Sequence, residues 1–172
     1  MLCASTNLLM VRTVADAASD SENQASQVAL TIPAGAYLNI IDDSVFKSLG
    51  EDGSAEQAFD AGYVEFDAGK PTLFVSSNTG LMLFVKSSGF TGPYPKATAD
   101  LMLKDAGSQH VNGMFRQYRS LSAQEQRITR HYSEGVKNEE HPCQYKILLD
   151  YAKDIPGTYE ATVIFTLSTL AI

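Results

Sequence analysis

The sequence predicts an all-β protein: an antiparallel β-sandwich of about eight to ten short strands with an N-terminal extension. Three observations carry that reading. Strand-like runs recur roughly every ten residues, with turn signals between them. Several of these runs alternate apolar and polar residues, the period of a half-buried strand. No stretch holds a helical apolar period long enough for a helix bundle or for alternating strand–helix units.

In chain order, residues 5–14 (STNLLMVRTV) form an apolar, strand-like stretch, with Leu8, Met10 and Val14 on one face and Leu9 and Val11 on the other. Residues 15–27 (ADAASDSENQASQ) are polar and small and read as a linker. QVALTI puts Val28, Leu30 and Ile32 together before a turn at Pro33-Ala34-Gly35, and AYLNIID (36–42) offers the next strand. Residues 50–62 read as a loop holding at most one helical turn, followed by the short strand YVEF (63–66). TLFVSS (72–77) and LMLFVKSS (81–88), joined by Asn78-Thr79-Gly80, have the look of a hairpin.

After the Gly/Pro loop GFTGPYPK (89–96), TADLMLKD (98–105) sets Ala99, Leu101 and Leu103 on one face. Residues 114–135 read best as strand, turn, strand, and VKNEEHP (136–142) as a charged loop. CQYKILLDY (143–151) aligns Cys143, Tyr145, Ile147 and Leu149. In IPGTYEATVIFTLS (155–168), Tyr159, Ala161, Val163, Phe165 and Leu167 share one face, while Glu160, Thr162, Thr166 and Ser168 share the other. The short AKDIPG connection suggests that these last two runs pair as a hairpin. The expected organisation is an apolar strand over 1–14, a linker over 15–27 and a sandwich over 28–172, with Tyr145, Ile147, Leu149, Val163, Phe165 and Leu167 lining one core.

A chain of 172 residues, 44% hydrophobic and 19% charged, suffices for one domain with a substantial core. Its net charge of −7 argues against general affinity for nucleic acid or anionic membranes, which need clustered Lys and Arg. No apolar run approaches the roughly 20 residues of a membrane span. The leading residues lack a basic region and a sufficient apolar run for a secretory signal. The protein is then either cytosolic or a mature or recombinant form with its signal removed, and the threonine-rich, acidic, β-rich composition favours the second, extracellular option. Cys3 and Cys143 fit either one disulfide or two unpaired thiols, one of them a small buried group on a strand.

The closing run YKILLDYAKDIPGTYEATVIFTLS resembles the last strands of prokaryotic cell-wall and pilus-type β-sandwich subunits, which end on a Pro-Gly-x-Tyr turn and a Thr/Val-rich strand. The TLFVSSNTGLMLFVKSSGF run is similar to them in character. The resemblance covers about a third of the chain. It implies an Ig-like or pilin-like sandwich and an extracellular setting, and it assigns no functional residue. The Trp-x-Leu motif of one such cell-wall family is absent, because the chain has no tryptophan.

Chemistry-bearing residues are sparse. His110, His131 and His141 fall in segments that read as loops or turns, and no serine sits in a nucleophile elbow, so the chain reads as a non-enzyme. His141-Pro142-Cys143 offers two metal ligands without a second pair at zinc spacing. Asp42, Asp43, Glu51, Asp52, Asp60, Glu65 and Asp67 are oxygen donors suited to calcium, but without EF-hand spacing they read as solvated acidic loops. No cofactor is expected; a structural calcium is the less favoured alternative to the solvated loops. Phe90, Tyr94, Tyr118 and Tyr132 are the aromatics available to a sugar. Arg116, Arg119, Arg127 and Arg130 around Tyr118 are the only basic cluster, and in an acidic chain they read as a solvated face.

The remaining feature is the detached apolar strand. Leu8, Leu9, Met10, Val11 and Val14 can pair within their own sheet or add to the open edge of another copy, as in donor-strand filaments. Head-to-tail donation does not close on itself and builds a fibre. The sequence therefore points to a structural subunit of an extracellular filament or pilus, a head-to-tail homopolymer. A monomeric secreted binding module for carbohydrate or calcium is the alternative.

Overall fold

A computed structural model describes residues 11–13, 26–49, 54–107, 114–132 and 134–170. The chain divides into two compact units, Met1–Pro33 and Ala34–Ile172. In the first, β1 (Val11–Thr13) pairs antiparallel with β2 (Ser26–Val28), Val11 opposite Val28 and Thr13 opposite Ser26. The run expected to open the sandwich thus gives a strand to this ribbon. Beyond it, Leu30 and Ile32 are 77% and 71% exposed and belong to no described strand.

The second unit is the predicted β-sandwich. Its elements are β3 (Ala36–Ile41), α1 (Ser54–Ala61), β4 (Tyr63–Glu65), β5 (Thr72–Ser77), β6 (Leu81–Thr91), β7 (Leu101–Asp105), β8 (Arg119–Ser120), β9 (Gln126–His131), β10 (Val136–Leu148) and β11 (Glu160–Thr169). One sheet runs β3-β5-β10-β7-β8, with β4 added to β10, and the opposing sheet is β11-β6-β9. The named ladders within both sheets are antiparallel. No described helix is long and apolar enough to cross a membrane.

Alternation builds the core. Leu73 and Val75 of β5, Leu81, Leu83 and Val85 of β6, and Leu103 of β7 are fully buried, and Ile128 of β9, Phe115 and Leu121 are 1% exposed. Cys143 and Tyr145 of β10 complete this cluster from the larger sheet. The segment over 114–135 does form strand, turn and strand, and the acidic loop after residue 50 contains a two-turn helix instead of a single turn.

Both hairpins expected from adjacency are absent. β5 pairs with β3 and β10, whereas β6 pairs with β11 and β9, so TLFVSS and LMLFVKSS face each other across the core. Likewise β10 and β11 lie in opposite sheets. Alternation specifies which side chains point inward, and that demand is met equally by pairing in one sheet or by stacking two sheets. At Asn78-Thr79-Gly80 the chain crosses between sheets, with Thr79 buried. A Cβ on Gly80 would collide with the Tyr132 carbonyl, so only glycine permits this crossing.

Two further expectations change. VKNEEHP is the first half of β10, where a bulge between Val136 and Glu139 places Asn138 at φ 54°. Asparagine tolerates that left-handed conformation, and its N–H is satisfied by the Ser76 hydroxyl at 2.8 Å. Leu149 lies past the end of β10, outside the core, its N–H bonded to the Gly62 carbonyl. The other five expected core residues pack in the core, but Ile147, Val163, Phe165 and Leu167 do so only half-buried.

That difference sets a stability prediction. Leu83→Ala, at a wholly buried site, is expected to cost about 2–5 kcal/mol. Phe165→Ala should cost roughly half of the ~3–5 kcal/mol typical of a buried Phe, because part of the ring already meets solvent. Urea unfolding of both variants checks this, and an equal or larger loss for Phe165→Ala would contradict the burial difference.

Candidate strand-accepting groove

The small sheet is finished on one side only. Along its central strand, Leu81, Leu83 and Val85 are 0% exposed. Their partners across the ladder are Thr169, Leu167 and Phe165, and on β11 the inward residues Ala161, Val163, Phe165 and Leu167 are only partly covered. β11 pairs with β6 alone among the described strands, so one edge of this ten-residue strand carries unpaired N–H and C=O groups. Its sequence, EATVIFTLST, holds no Lys, Arg or Pro, the residues that usually blunt an exposed edge. The opposite edge strand, β9, carries Arg127 and Arg130.

Beneath the open edge runs a groove of about 540 Å³. β11 supplies one wall through Ala161, Val163 and Phe165. The larger sheet supplies the floor through Phe66, Leu101, Tyr145 and Ile147, and Phe90 closes it from β6. Phe66 and Tyr145 meet edge-to-face, ring centroids 6.5 Å apart. The lip is formed by residues 43–46 on one side and 158–160 on the other. Phe46, at that lip, is 83% exposed, and its neighbour Lys47 donates from Nζ to the Glu65 carbonyl at 2.6 Å. Among the described residues, Asp43 and Glu160 are the charged members of the lining, with no Lys, Arg or His.

The lip near Glu160 is anchored by an ion pair. Lys96 Nζ donates to both carboxylate oxygens of Asp154, at 2.8 and 2.7 Å, with side chains 4% and 9% exposed. This pair ties the β6–β7 connection to the β10–β11 connection. The Asp150 N–H also donates to Asp154, and Tyr159 donates from its hydroxyl to the Ile155 carbonyl, so the turn that launches β11 is held from both ends.

A second polar feature lies inside the core. His141 is 0% exposed; its Nδ1 lies 2.7 Å from Asp105 Oδ2 and its Nε2 3.1 Å from Glu139 Oε1. The second oxygen of Glu139 lies 2.9 Å from His131 Nε2, so the carboxylate bridges two imidazoles from opposite sheets. Burial alone would lower the His141 pKa, but the hydrogen bonds and negative charges of Asp105 and Glu139 prevail and push it up to about 9. Burial, with Asp105 nearby, pushes the Cys143 thiol up, which leaves it an unreactive core group.

The sequence placed both histidines in loops, yet they sit on β9 and β10. Residue parity was the available signal: Glu139 and His141 share the inward face of Cys143 and Tyr145. His110 lies outside the described residues.

Of the strand residues proposed for partner binding, Leu8, Leu9, Met10 and Val14 lie outside the described residues, and Val11 opens β1. Cys143 is a buried free thiol, and Cys3 lies outside the described residues. The aromatics do not assemble into a platform. Tyr94 and Tyr132 follow opposite ends of β6, because Leu81 pairs with His131. Lys104 and Lys146 ammonium groups lie 5.5 and 4.4 Å from the Tyr118 ring, and the Arg130 guanidinium covers Tyr132 at 3.9 Å.

The acidic residues do not converge either. Glu65 pairs with Lys146 and Asp67 with Lys70, Glu51 and Asp52 lie outside the described residues, and no described His, Cys, Asp and Glu form a group able to hold a metal. Arg119 sits on β8, Arg127 and Arg130 on β9 in the other sheet, and Arg116 in the turn before β8. No protein-family model, curated protein or solved structure matches the chain.

The buried histidine yields a pH prediction. Native His141 holds its proton to about pH 9, whereas the unfolded residue releases it near 6.5. Its stabilisation is complete below pH 6.5 and is lost as pH rises from there to about 9, on the order of 2–3 kcal/mol. Asp105→Asn should destabilise the protein at neutral pH and flatten that decline. Unfolding free energies across this range test it; an unchanged slope in the variant would assign the titration elsewhere.

Proposed function

We propose that the protein is a structural, non-enzymatic subunit of an extracellular filament or pilus, assembled head to tail by strand donation. In this reading residues 5–14 of one copy enter the groove of the next and residues 15–27 form the connector. That requires β1 to leave β2, since Arg12 and Thr13 pair with Gln27 and Ser26 in the described ribbon. One observation carries this reading: inward side chains are fully buried on β6 and only half-buried on β11, above an apolar groove with an open strand edge. An added strand satisfies the edge through ladder hydrogen bonds and fills the groove with alternate side chains. Each fully buried Leu- or Val-sized group stabilises the junction by about 1.5–3 kcal/mol.

Released from that ribbon, the thirteen-residue connector extends by up to ~3.3 Å per residue. The extracellular setting rests on composition and on the resemblance of the closing strands. Deleting residues 1–14 is expected to give less stable subunits that do not polymerise, and a peptide of residues 5–14 should restore their melting temperature. Size-exclusion chromatography and electron microscopy of intact and truncated protein decide the matter. A truncated chain that assembles as before, or an intact chain that stays a monomer, would remove the filament reading.

A further inference from the structure

We infer that two copies of this chain pair through the free edge of β11, antiparallel about a two-fold axis at Ile164, joining their small sheets into one. The inference does not rest on the donor-strand reading; one edge accepts one strand, so the two occupants exclude each other. The backbone fixes which groups are on offer. The Ser87 N–H donates to the Ser122 carbonyl at 2.9 Å, so Val163, the ladder partner of Ser87, turns its own N–H and C=O away from β6. The Leu170 N–H donates to the Gly80 carbonyl at 2.8 Å, which sets the even-numbered residues of β11 toward β6. Ala161 pairs with Phe90 and Val163 with Ser87, so the bulge adds its extra residue to β6 and β11 alternates without a break. Ala161, Val163, Phe165 and Leu167 therefore present their backbone groups at the free edge.

The sequence EATVIFTLST is self-complementary about Ile164. In that register Val163 meets Phe165 of the second copy and Ala161 meets Leu167, each pair exchanging ladder bonds, and the half-buried inward rows cover each other. On the outer face Thr162 meets Thr166, Glu160 meets Ser168, and Ile164 meets its own counterpart. Ile164 is the apolar residue of that otherwise polar face and is 42% exposed; the axis gives it an apolar partner. Glu160, the only charge on β11, then lies eight residues from its counterpart, roughly 26 Å away. Moving the axis to 163 or 165 sets Ile164 against a threonine. An axis between two residues sets inward side chains opposite outward ones.

A two-fold contact closes at two copies, whereas head-to-tail donation does not. Ile164 and its counterpart form a non-hydrogen-bonded pair, with Cα atoms about 4.5 Å apart and so within disulfide range. In the full chain carrying Cys3→Ser and treated with diamide, Ile164→Cys is expected to give a covalent dimer. Thr162→Cys alone should not, and Thr162→Cys mixed with Thr166→Cys should give mixed disulfides. Ile164→Lys opposes two ammonium groups on an exposed face and should weaken the dimer at least about fivefold, and an equimolar mixture with Ile164→Asp should restore it. Sedimentation velocity reads the dimer, and melting temperatures confirm that each variant is folded. No cross-link at Ile164→Cys, or an Ile164→Lys dimer as tight as wild type, would overturn this pairing and leave strand donation to be judged by polymer formation alone. Covalent Ile164→Cys dimers from a chain that builds no polymer would uphold the pairing and remove the filament reading.

Discussion

A sandwich buries its core only as far as the strands of both sheets reach across it. The larger sheet spans β3 to β8, while the opposing one has three strands, so a single edge decides how much of the shared interior stays dry. Where β6 lies over β5 and β7, burial is complete. Under β11 the floor continues through Phe66, Tyr145 and Ile147, but no described strand extends the small sheet to cover it. Apolar area left half-covered contributes proportionately less stabilisation. The groove is thus the direct result of unequal sheet widths.

The interior also accommodates charge where the sequence suggested solvent. Burying Asp105, Glu139 and His141 would be prohibitive singly, yet each carboxylate oxygen named above meets an imidazole nitrogen. The bulge at Asn138 lets the charged half of β10 rejoin its ladder with Glu139 and His141 facing inward. Because His131 comes from β9 and Asp105 from β7, the network joins the two sheets. None of its residues lines the groove.

The strands were legible because alternation is a local property: 72–77, 81–88 and the C-terminal run read as they fold. Pairing was not, since residues that face a neighbour sheet and residues that face a paired strand show the same period. VKNEEHP was lost to its charge, because a sequence does not reveal that Asp105 and His131 will arrive from other strands. The groove had a partial signature in the unblunted run EATVIFTLS. Its floor, drawn from Phe66, Leu101 and Tyr145, depends on topology, and no local pattern could have assembled it.

Leaving an edge unfinished is hazardous unless its occupant is specified. An apolar strand edge without Lys, Arg or Pro pairs with any extended apolar segment, and self-pairing of β11 edges would compete with an intended partner. The charged residues of the described lining, Asp43 and Glu160, are both acidic, and two copies meeting edge to edge in parallel would bring Glu160 close to Glu160, a like-charge cost that opposes such pairing. Val11–Thr13 already pairs with Ser26–Val28 in the first unit, and its second edge carries no described partner. A strand that paired with β11 would widen the smaller sheet and cover the floor beneath it.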